Sequence, residues 1–167
     1  VFKWKKAANA SGYKIYRRTG NSSKWVNIAT VSGSNTLVYT DGSVKSGTMY
    51  TYTVRAYKGS ALSAYNKNGS RIVRLTAPVQ YKPSSKASGK LTVRWKKAVG
   101  ASGYQIQYAA SRSMRGSRTV SASALTRTLS GLKKGSTYYV RIRAYKKVSG
   151  KTYYGAWSSV KNVKVRK

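Results

Sequence analysis

The sequence predicts an all-β protein that contains two copies of one sandwich domain. Three observations lead to this prediction: blocks of residues recur in order along the chain, apolar residues alternate with polar ones, and clusters of Gly, Ser and Asn separate the alternating runs. Alternation with a period of two is typical of strands that bury one face. No long stretch has the helical period.

The repeat consists of two blocks that recur in the same order. Trp4–Ile15 matches Trp95–Ile106 at an offset of 91 residues. Val44–Tyr57 matches Leu132–Tyr145 at an offset of 88 residues. Because the offsets differ by only three residues of intervening chain, the two blocks indicate two copies of one domain.

Strands are predicted wherever the alternation is regular. In the first copy Tyr50, Tyr52 and Val54 alternate with polar residues, and in the second copy Val140 and Ile142 alternate with Arg. Shorter alternating runs lie between the Gly and Ser clusters, which mark turns. We expect about seven strands in a full copy.

The domain boundary is predicted near Pro78, one of only two prolines in the chain, because it falls between the two copies. This places one domain over residues 1–77 and a second over residues 78–167. Each copy then has about 80 to 90 residues, an ordinary size for a small sandwich domain.

The composition argues against most kinds of catalytic and metal site. The 167 residues include 34 Lys and Arg, a single Asp, and no Glu, His or Cys, which gives a formal net charge of +33. Paired-carboxylate catalysis needs two acids, histidine chemistry needs His, and metal sites need several Cys, His or acidic ligands. We therefore expect no enzyme activity, no cofactor and no metal. Asp41 is expected to cap a turn through bonds from backbone amides.

The basic residues are spread along the chain and are expected to lie on the solvent face of the strands. Such an excess of positive charge attracts polyanions by counterion release. The segment Tyr145–Trp157, expected to be a loop between the last two strands, is the favoured contact region. The candidate polyanion contacts are Lys96, Lys97, Arg141, Arg143, Lys146, Lys147, Lys151, Tyr153 and Tyr154.

Over nearly its whole length the chain resembles tandem fibronectin type III domains of bacterial surface and secreted proteins. In that family a Trp on the second strand packs in the core, and Trp4 and Trp95 match it. A Leu-x-x-Gly-Thr-x-Tyr stretch leads into the sixth strand and ends in a corner tyrosine, which Tyr50 and Tyr138 match. The resemblance implies immunoglobulin-like β-sandwiches with these four residues in the structural core.

The chain departs from the family pattern in two ways. The first copy begins inside the second strand, so it is expected to lack its first strand and to expose an edge. Ser11 and Ser102 stand where bacterial members usually have Asp before the third strand. Three explanations of the near-absence of acids remain open: a natural cationic surface, engineered replacement of surface acids, or carboxylates assigned as smaller residues.

The resemblance implies a non-catalytic extracellular segment, a spacer or adhesion unit at a bacterial cell surface or in a secreted protein. Its expected partners are neighbouring domains of the same parent chain. No apolar run reaches the ~20 residues of a membrane span, so none is expected.

Two alternatives for the function remain open. The first is a cationic module, natural or charge-engineered, that binds anionic polymers such as teichoic acid, glycosaminoglycan or nucleic acid. The second is a subunit of a surface filament, in which self-assembly through the exposed edge strand lets a neighbour donate the missing strand.

Overall fold

The computed structural model describes all 167 residues, and every regular element in it is a β-strand. Fourteen strands divide between two compact units, unit 1 (Val1–Arg74) and unit 2 (Leu75–Lys167). The predicted all-β fold class is confirmed. The division falls three residues before Pro78, and the predicted domain limits themselves stay a prediction. The structure has no helix of the length and apolarity that a bilayer crossing requires.

Unit 1 consists of seven strands in two antiparallel sheets. These are β1 (Phe2–Lys3), β2 (Gly12–Thr19), β3 (Val26–Ser32), β4 (Val38–Tyr39), β5 (Met49–Lys58), β6 (Ala61–Leu62) and β7 (Ser70–Val73). One sheet pairs β1 with β4, and the other has the order β3-β2-β5-β6, with β7 also paired to β5.

Unit 2 repeats this topology strand for strand. Its strands are β8 (Leu91–Arg94), β9 (Gly103–Ala109), β10 (Arg118–Ala122), β11 (Thr126–Leu129), β12 (Thr137–Val148), β13 (Lys151–Tyr154) and β14 (Lys161–Lys164). One sheet pairs β8 with β11, and the other has the order β10-β9-β12-β13, with β14 also paired to β12. The sequence repeat is therefore a repeat of the fold.

The core of unit 2 is built from alternate residues of β9 and β12. Val140 and Ile142 have no exposed surface, and Ile142 pairs in register with Ile106 of β9, which is equally buried. Trp95, directly after β8, is 2% exposed, and its ring centroid lies 5.3 Å from that of Tyr104. Burying side chains of this size contributes roughly 1.5–3 kcal/mol each to the free energy of folding. The alternating apolar residues predicted from the sequence therefore hold the two sheets of the sandwich together.

In unit 1 the buried cluster consists of Ile15, Tyr50 and Tyr52. Phe2 and Trp4 pack against this cluster but are only half-buried. The rings of Phe2 and Tyr52 are stacked with their centroids 5.5 Å apart. Aromatic side chains therefore fill much of the core of unit 1, whereas aliphatic side chains fill much of the core of unit 2.

The two units differ beside their first strands. In unit 2, Gln80 and Ser84 form isolated bridges to Trp95 and Thr92, so a further segment lies along β8. In unit 1, β1 pairs only with β4.

Each unit has the same tyrosine corner. The backbone N–H of Lys45 donates to the Tyr50 hydroxyl at 3.0 Å, and the backbone N–H of Lys133 donates to the Tyr138 hydroxyl at 3.2 Å. Tyr50 is buried, whereas Tyr138 is half-buried. The bond fixes the start of β5 and of β12 against the turn that precedes each strand.

The segment Tyr145–Trp157, expected to be a loop, is mostly a β-hairpin, so that expectation is wrong. β12 continues to Val148, and β13 returns after a turn of two residues, Ser149 and Gly150, with φ angles of 47° and 76°. Two-residue turns with positive φ match the twist of the flanking strands. Alternation therefore continues beyond the sandwich and sorts the side chains of the hairpin onto two faces.

Candidate functional site

The outer face of the larger sheet in unit 2 carries two neighbouring arginines. Because Val140, Ile142 and Ala144 of β12 point into the core, Arg141 and Arg143 point to the opposite side. Both arginines are half-buried. With their contacts they form what is called here the arginine face. The arginine face comprises Arg141, Arg143, Gln105, Gln107, Tyr154 and Trp157.

Two glutamines of β9 hold the arginines in place. The sheet register pairs Arg141 with Gln107 and Arg143 with Gln105. Arg141 Nε donates to Gln107 Oε1 at 2.7 Å, and Arg143 donates through Nε and NH2 to Gln105 Oε1 at 2.9 and 2.8 Å. These acceptors are neutral, so they orient the guanidinium groups without cancelling their charge.

Aromatic rings contact the same guanidinium groups. The Arg143 Cζ atom lies 4.0 Å from the ring centroid of Tyr154 and 4.4 Å from that of Trp157. The Arg141 Cζ atom lies 4.8 Å from the centroid of Trp157. Cation–π contacts of this length are attractive and restrict the rotamers of both arginines.

The structure divides the candidate polyanion contacts among three places. Arg141, Arg143 and Tyr154 come together on the arginine face. Lys147 is exposed and is four residues beyond Arg143, so the alternation of β12 places it on the same side of the hairpin.

The other candidates lie elsewhere. Lys146 pairs in register with Tyr153, on the other side of the hairpin from Lys147. Lys151 Nζ lies 5.7 Å from the ring centroid of Tyr153. Lys96 and Lys97 are exposed residues that follow β8, a strand of the smaller sheet. The candidates are therefore not one patch.

Three members of the arginine face, Gln105, Gln107 and Trp157, were not among the candidates from sequence. The glutamines alternate with buried residues on β9, which marks them as outward-facing. Their partnership with the arginines depends on the register between β9 and β12. Trp157 reaches the face only because the chain folds back after β13.

Unit 1 has a related arrangement with fewer partners. Arg55, which matches Arg143 at the offset of 88, lies 5.5 Å from the ring of Tyr65 and donates from Nε to the Ser63 carbonyl at 2.7 Å. Trp25 makes an edge contact with Tyr65, and a cavity of about 100 Å³ lies beside them. The repeat of arginine and aromatic ring in both units is part of the duplicated fold.

The single acidic side chain, Asp41, accepts four hydrogen bonds. Arg17 donates to Asp41 Oδ2 at 2.6 Å and Tyr52 donates to the same oxygen at 2.8 Å. The Ser43 hydroxyl and backbone N–H donate to Oδ1 at 2.7 and 2.9 Å, so the expectation that Asp41 caps a turn is confirmed. Burial alone would raise the pKa of Asp41, but the bonds from Ser43, Tyr52 and Arg17 outweigh burial and lower the pKa to about 2.

Beside Asp41 an open cavity of about 530 Å³ enters unit 1 at the side of β1. Phe2, Tyr50, Tyr52 and Ile72 supply apolar lining.

Comparison with known proteins identifies the fold of both units. The family model for the fibronectin type III domain matches residues 76–161, just over half of the chain. The crystal structure of the FN1–FN3 domains of chicken CNTN1, a contactin, is similar with a TM-score of 0.50 and 21% sequence identity, covering 93% of this chain. This chain spans 56% of the length of that structure.

No curated protein matches the sequence. The family match rests on the second copy, and the structural match extends the same fold over nearly the whole chain. Domains of this family are typically non-catalytic adhesion or spacer modules of extracellular proteins. The chain, with its duplicated sandwich and its two tyrosine corners, belongs to the fibronectin type III family.

Proposed function

We propose that the chain is a non-catalytic extracellular segment of a bacterial surface or secreted protein, where it serves as a spacer or in adhesion. Family membership carries this proposal, because it supplies both the module type and its usual location. The duplication supports it as well, since each additional sandwich lengthens a segment without adding chemistry. The partners in this role are neighbouring domains of the same parent chain.

A second candidate function is the binding of anionic polymers, and one observation favours it. Of the 34 Lys and Arg residues, 21 lie in unit 2, which contains no Asp or Glu. On its outer face the arginines are oriented by amides and aromatic rings instead of carboxylates. Oriented but uncompensated cations favour an external anion.

A salt titration separates these two functions. We would immobilise the full chain and measure binding of heparin, poly(glycerol phosphate) and poly(dT) while raising NaCl from about 0.02 M to about 0.5 M. A spacer shows binding to all three that disappears by about 0.15 M, because only diffuse charge is involved. Salt-resistant preference for one polymer would contradict the spacer and favour the dedicated binder.

The filament alternative has its own readout. Sedimentation velocity over a range of protein concentrations reports whether the chain assembles through the open side of β1. A monomer at every concentration agrees with the spacer, whereas concentration-dependent assembly at high salt would favour completion by a donated strand.

A further inference from the structure

We propose that Arg141 and Arg143 form a binding site for sulfate or phosphate ester groups carried on a sugar or polyol polymer. This inference rests on the second candidate function above, and it names the residues and the ligand chemistry. The arginine face supplies the contacts, with Lys147 extending the row of positive charge along β12.

The charges of the arginine face have no internal counterion. Arg17 of unit 1 shows the ordinary arrangement, in which a carboxylate, Asp41, accepts the guanidinium hydrogen bond. Arg141 and Arg143 instead donate to glutamine amides. Unit 2 contains no Asp or Glu side chain that could take this role, so these arginines lack the side-chain counterion that Arg17 has.

The hydrogen-bonding edges are available to a ligand. Arg141 donates to protein only through Nε, which leaves its NH1 and NH2 groups free for an anion. Arg143 uses Nε and NH2, which leaves NH1. Guanidinium edges of this kind bind the oxygens of sulfate and phosphate in a fixed geometry. Because glutamine and aromatic contacts already restrict the rotamers, little further ordering is needed on binding.

The spacing suits a polymer. Alternate residues of a strand are about 6.7 Å apart, so Arg141 and Arg143 present two anion sites at that separation. Lys147 lies on the same side roughly 13 Å beyond Arg143. A row of cations along one strand engages successive ester groups of one extended chain, which a single small anion cannot do.

The aromatic contacts argue against nucleic acid as the ligand. Binding of single strands depends on aromatic faces on which bases can stack. Here Trp157 contacts two guanidinium groups and Tyr154 contacts one, while Tyr153 is covered by Lys151. The aromatic rings therefore position cations, and few ring faces remain on which nucleic-acid bases could stack.

The surroundings of the arginines suit a hydroxylated backbone. Across the sheet, Thr119 pairs with Gln107 and Ser121 pairs with Gln105, so short hydroxyl side chains continue the face. Both glutamine amides are already bonded within the protein, but the hydroxyls of the exposed Thr119 and Ser121 can exchange hydrogen bonds with sugar or polyol hydroxyls. This favours a polysaccharide or polyol polymer over a polymer that offers anionic groups alone.

The test compares two double substitutions that remove the same charge. In R141Q/R143Q the arginine face is lost, while in K96Q/K97Q two exposed lysines that follow β8 are lost. We expect R141Q/R143Q to weaken binding of heparin or poly(glycerol phosphate) about tenfold or more at about 0.15 M NaCl, and K96Q/K97Q to weaken it less than about threefold. The tighter of the two polymers identifies sulfate or phosphate as the natural ester.

A second measurement uses the unmodified chain and needs no substitution. Arginines are modified with phenylglyoxal, with and without the tighter polymer, and the labelled peptides are identified by mass. We expect the polymer to protect Arg141 and Arg143 more than the exposed Arg118 and Arg127.

Three results would contradict the proposed site. They bear respectively on the location of binding, on the class of ligand and on polyanion binding itself. Equal losses in both double variants, with uniform protection of arginines, would leave polyanion binding in place but make it diffuse. Tighter binding of poly(dT) than of the other polymers would replace the ligand class by nucleic acid. Loss of all binding by about 0.15 M salt would remove the polyanion function itself.

Discussion

At Asp41, four hydrogen bonds from Arg17, Ser43 and Tyr52 converge on one carboxylate. The second copy has no such network: Leu129, which matches Asp41 at the offset of 88, is buried and apolar. The two copies therefore differ at this position: unit 1 has a polar network around Asp41, and unit 2 has the buried aliphatic side chain of Leu129. The polar network makes unit 1 sensitive to acid.

Asp41→Asn tests this sensitivity. A folded-state pKa of about 2 lies below the ordinary value of the carboxyl, so its stabilisation is present above pH ~4 and is lost as pH falls towards 2. We expect unit 1 to lose about 2 kcal/mol over this range in the original chain. In the variant the loss disappears, and the free energy of unfolding at neutral pH is lower by about 1–3 kcal/mol.

The measurement is urea unfolding followed by tryptophan fluorescence at several pH values between 2 and 7. The C-terminal carboxyl is common to both proteins and so cancels in the comparison. Parallel pH curves for the two proteins would show that Asp41 is not the group responsible.

On the scale of an element, each unit has a glycine beneath a tyrosine on the neighbouring strand. Gly12 pairs in register with Tyr57, and Gly103 with Tyr145. A Cβ atom at Gly12 would meet the Val31 carbonyl oxygen and the Tyr57 ring, and one at Gly103 would meet the Tyr145 ring. Close approach of backbone and ring explains why Gly precedes Tyr13 in β2 and Tyr104 in β9.

We therefore expect Gly12→Ala to destabilise unit 1 by about 1–3 kcal/mol, because the carbonyl oxygen belongs to a paired strand and cannot move freely. Gly42→Ala is the matched control in the same unit, since a Cβ atom there meets nothing within 4 Å. The change in the free energy of unfolding, measured with urea, should be small or slightly favourable for the control. Equal effects of the two substitutions would contradict the steric explanation.

Most of the strands were predictable from the sequence, because the alternation of apolar and polar residues in β5 and β12 indicates which side chains face the core. The repeat also shows each pattern twice. The arginine face was predictable only in part. Arg141, Arg143 and Tyr154 came from charge and position, but Gln105 and Gln107 depend on cross-strand register, which no local pattern encodes. The hairpin turn at Ser149-Gly150 was missed, since a Ser-Gly pair also marks loops.

For the whole molecule, repulsion among the 34 cations opposes folding. Raising NaCl from about 0.02 M to about 0.3 M shortens the screening length severalfold. If screening restores about 1 kcal/mol to each unit, the midpoint of thermal unfolding rises by about 4–8 °C. Calorimetry in salt and in sucrose of equal osmolality checks this, and an equal rise in sucrose would show that charge is not the cause.

Peptide mass mapping separates one explanation of the charge, carboxylates assigned as smaller residues, from the other two. In the structure Ser11 and Ser102 donate their backbone N–H groups to the carbonyls of Tyr57 and Tyr145 at 2.8 Å, and the Ser102 hydroxyl accepts the backbone N–H of Lys147. The side chain of Ser102 therefore accepts a hydrogen bond, whereas the bond given for Ser11 uses its backbone alone. We expect mass mapping to find Ser at both, and Asp or Glu there would lower the charge on which the polyanion site depends.

The amide partners of the arginine face also determine how it responds to its surroundings. The amide partners are neutral groups, and the chain has no His, the side chain whose charge ordinarily changes between pH 5 and 8. The face consequently keeps one charge state in an acidified niche and in a neutral one. Sulfate esters and phosphate diesters also stay anionic between pH 5 and 8, so attachment through this face is expected to be equally strong in an acidified and in a neutral environment.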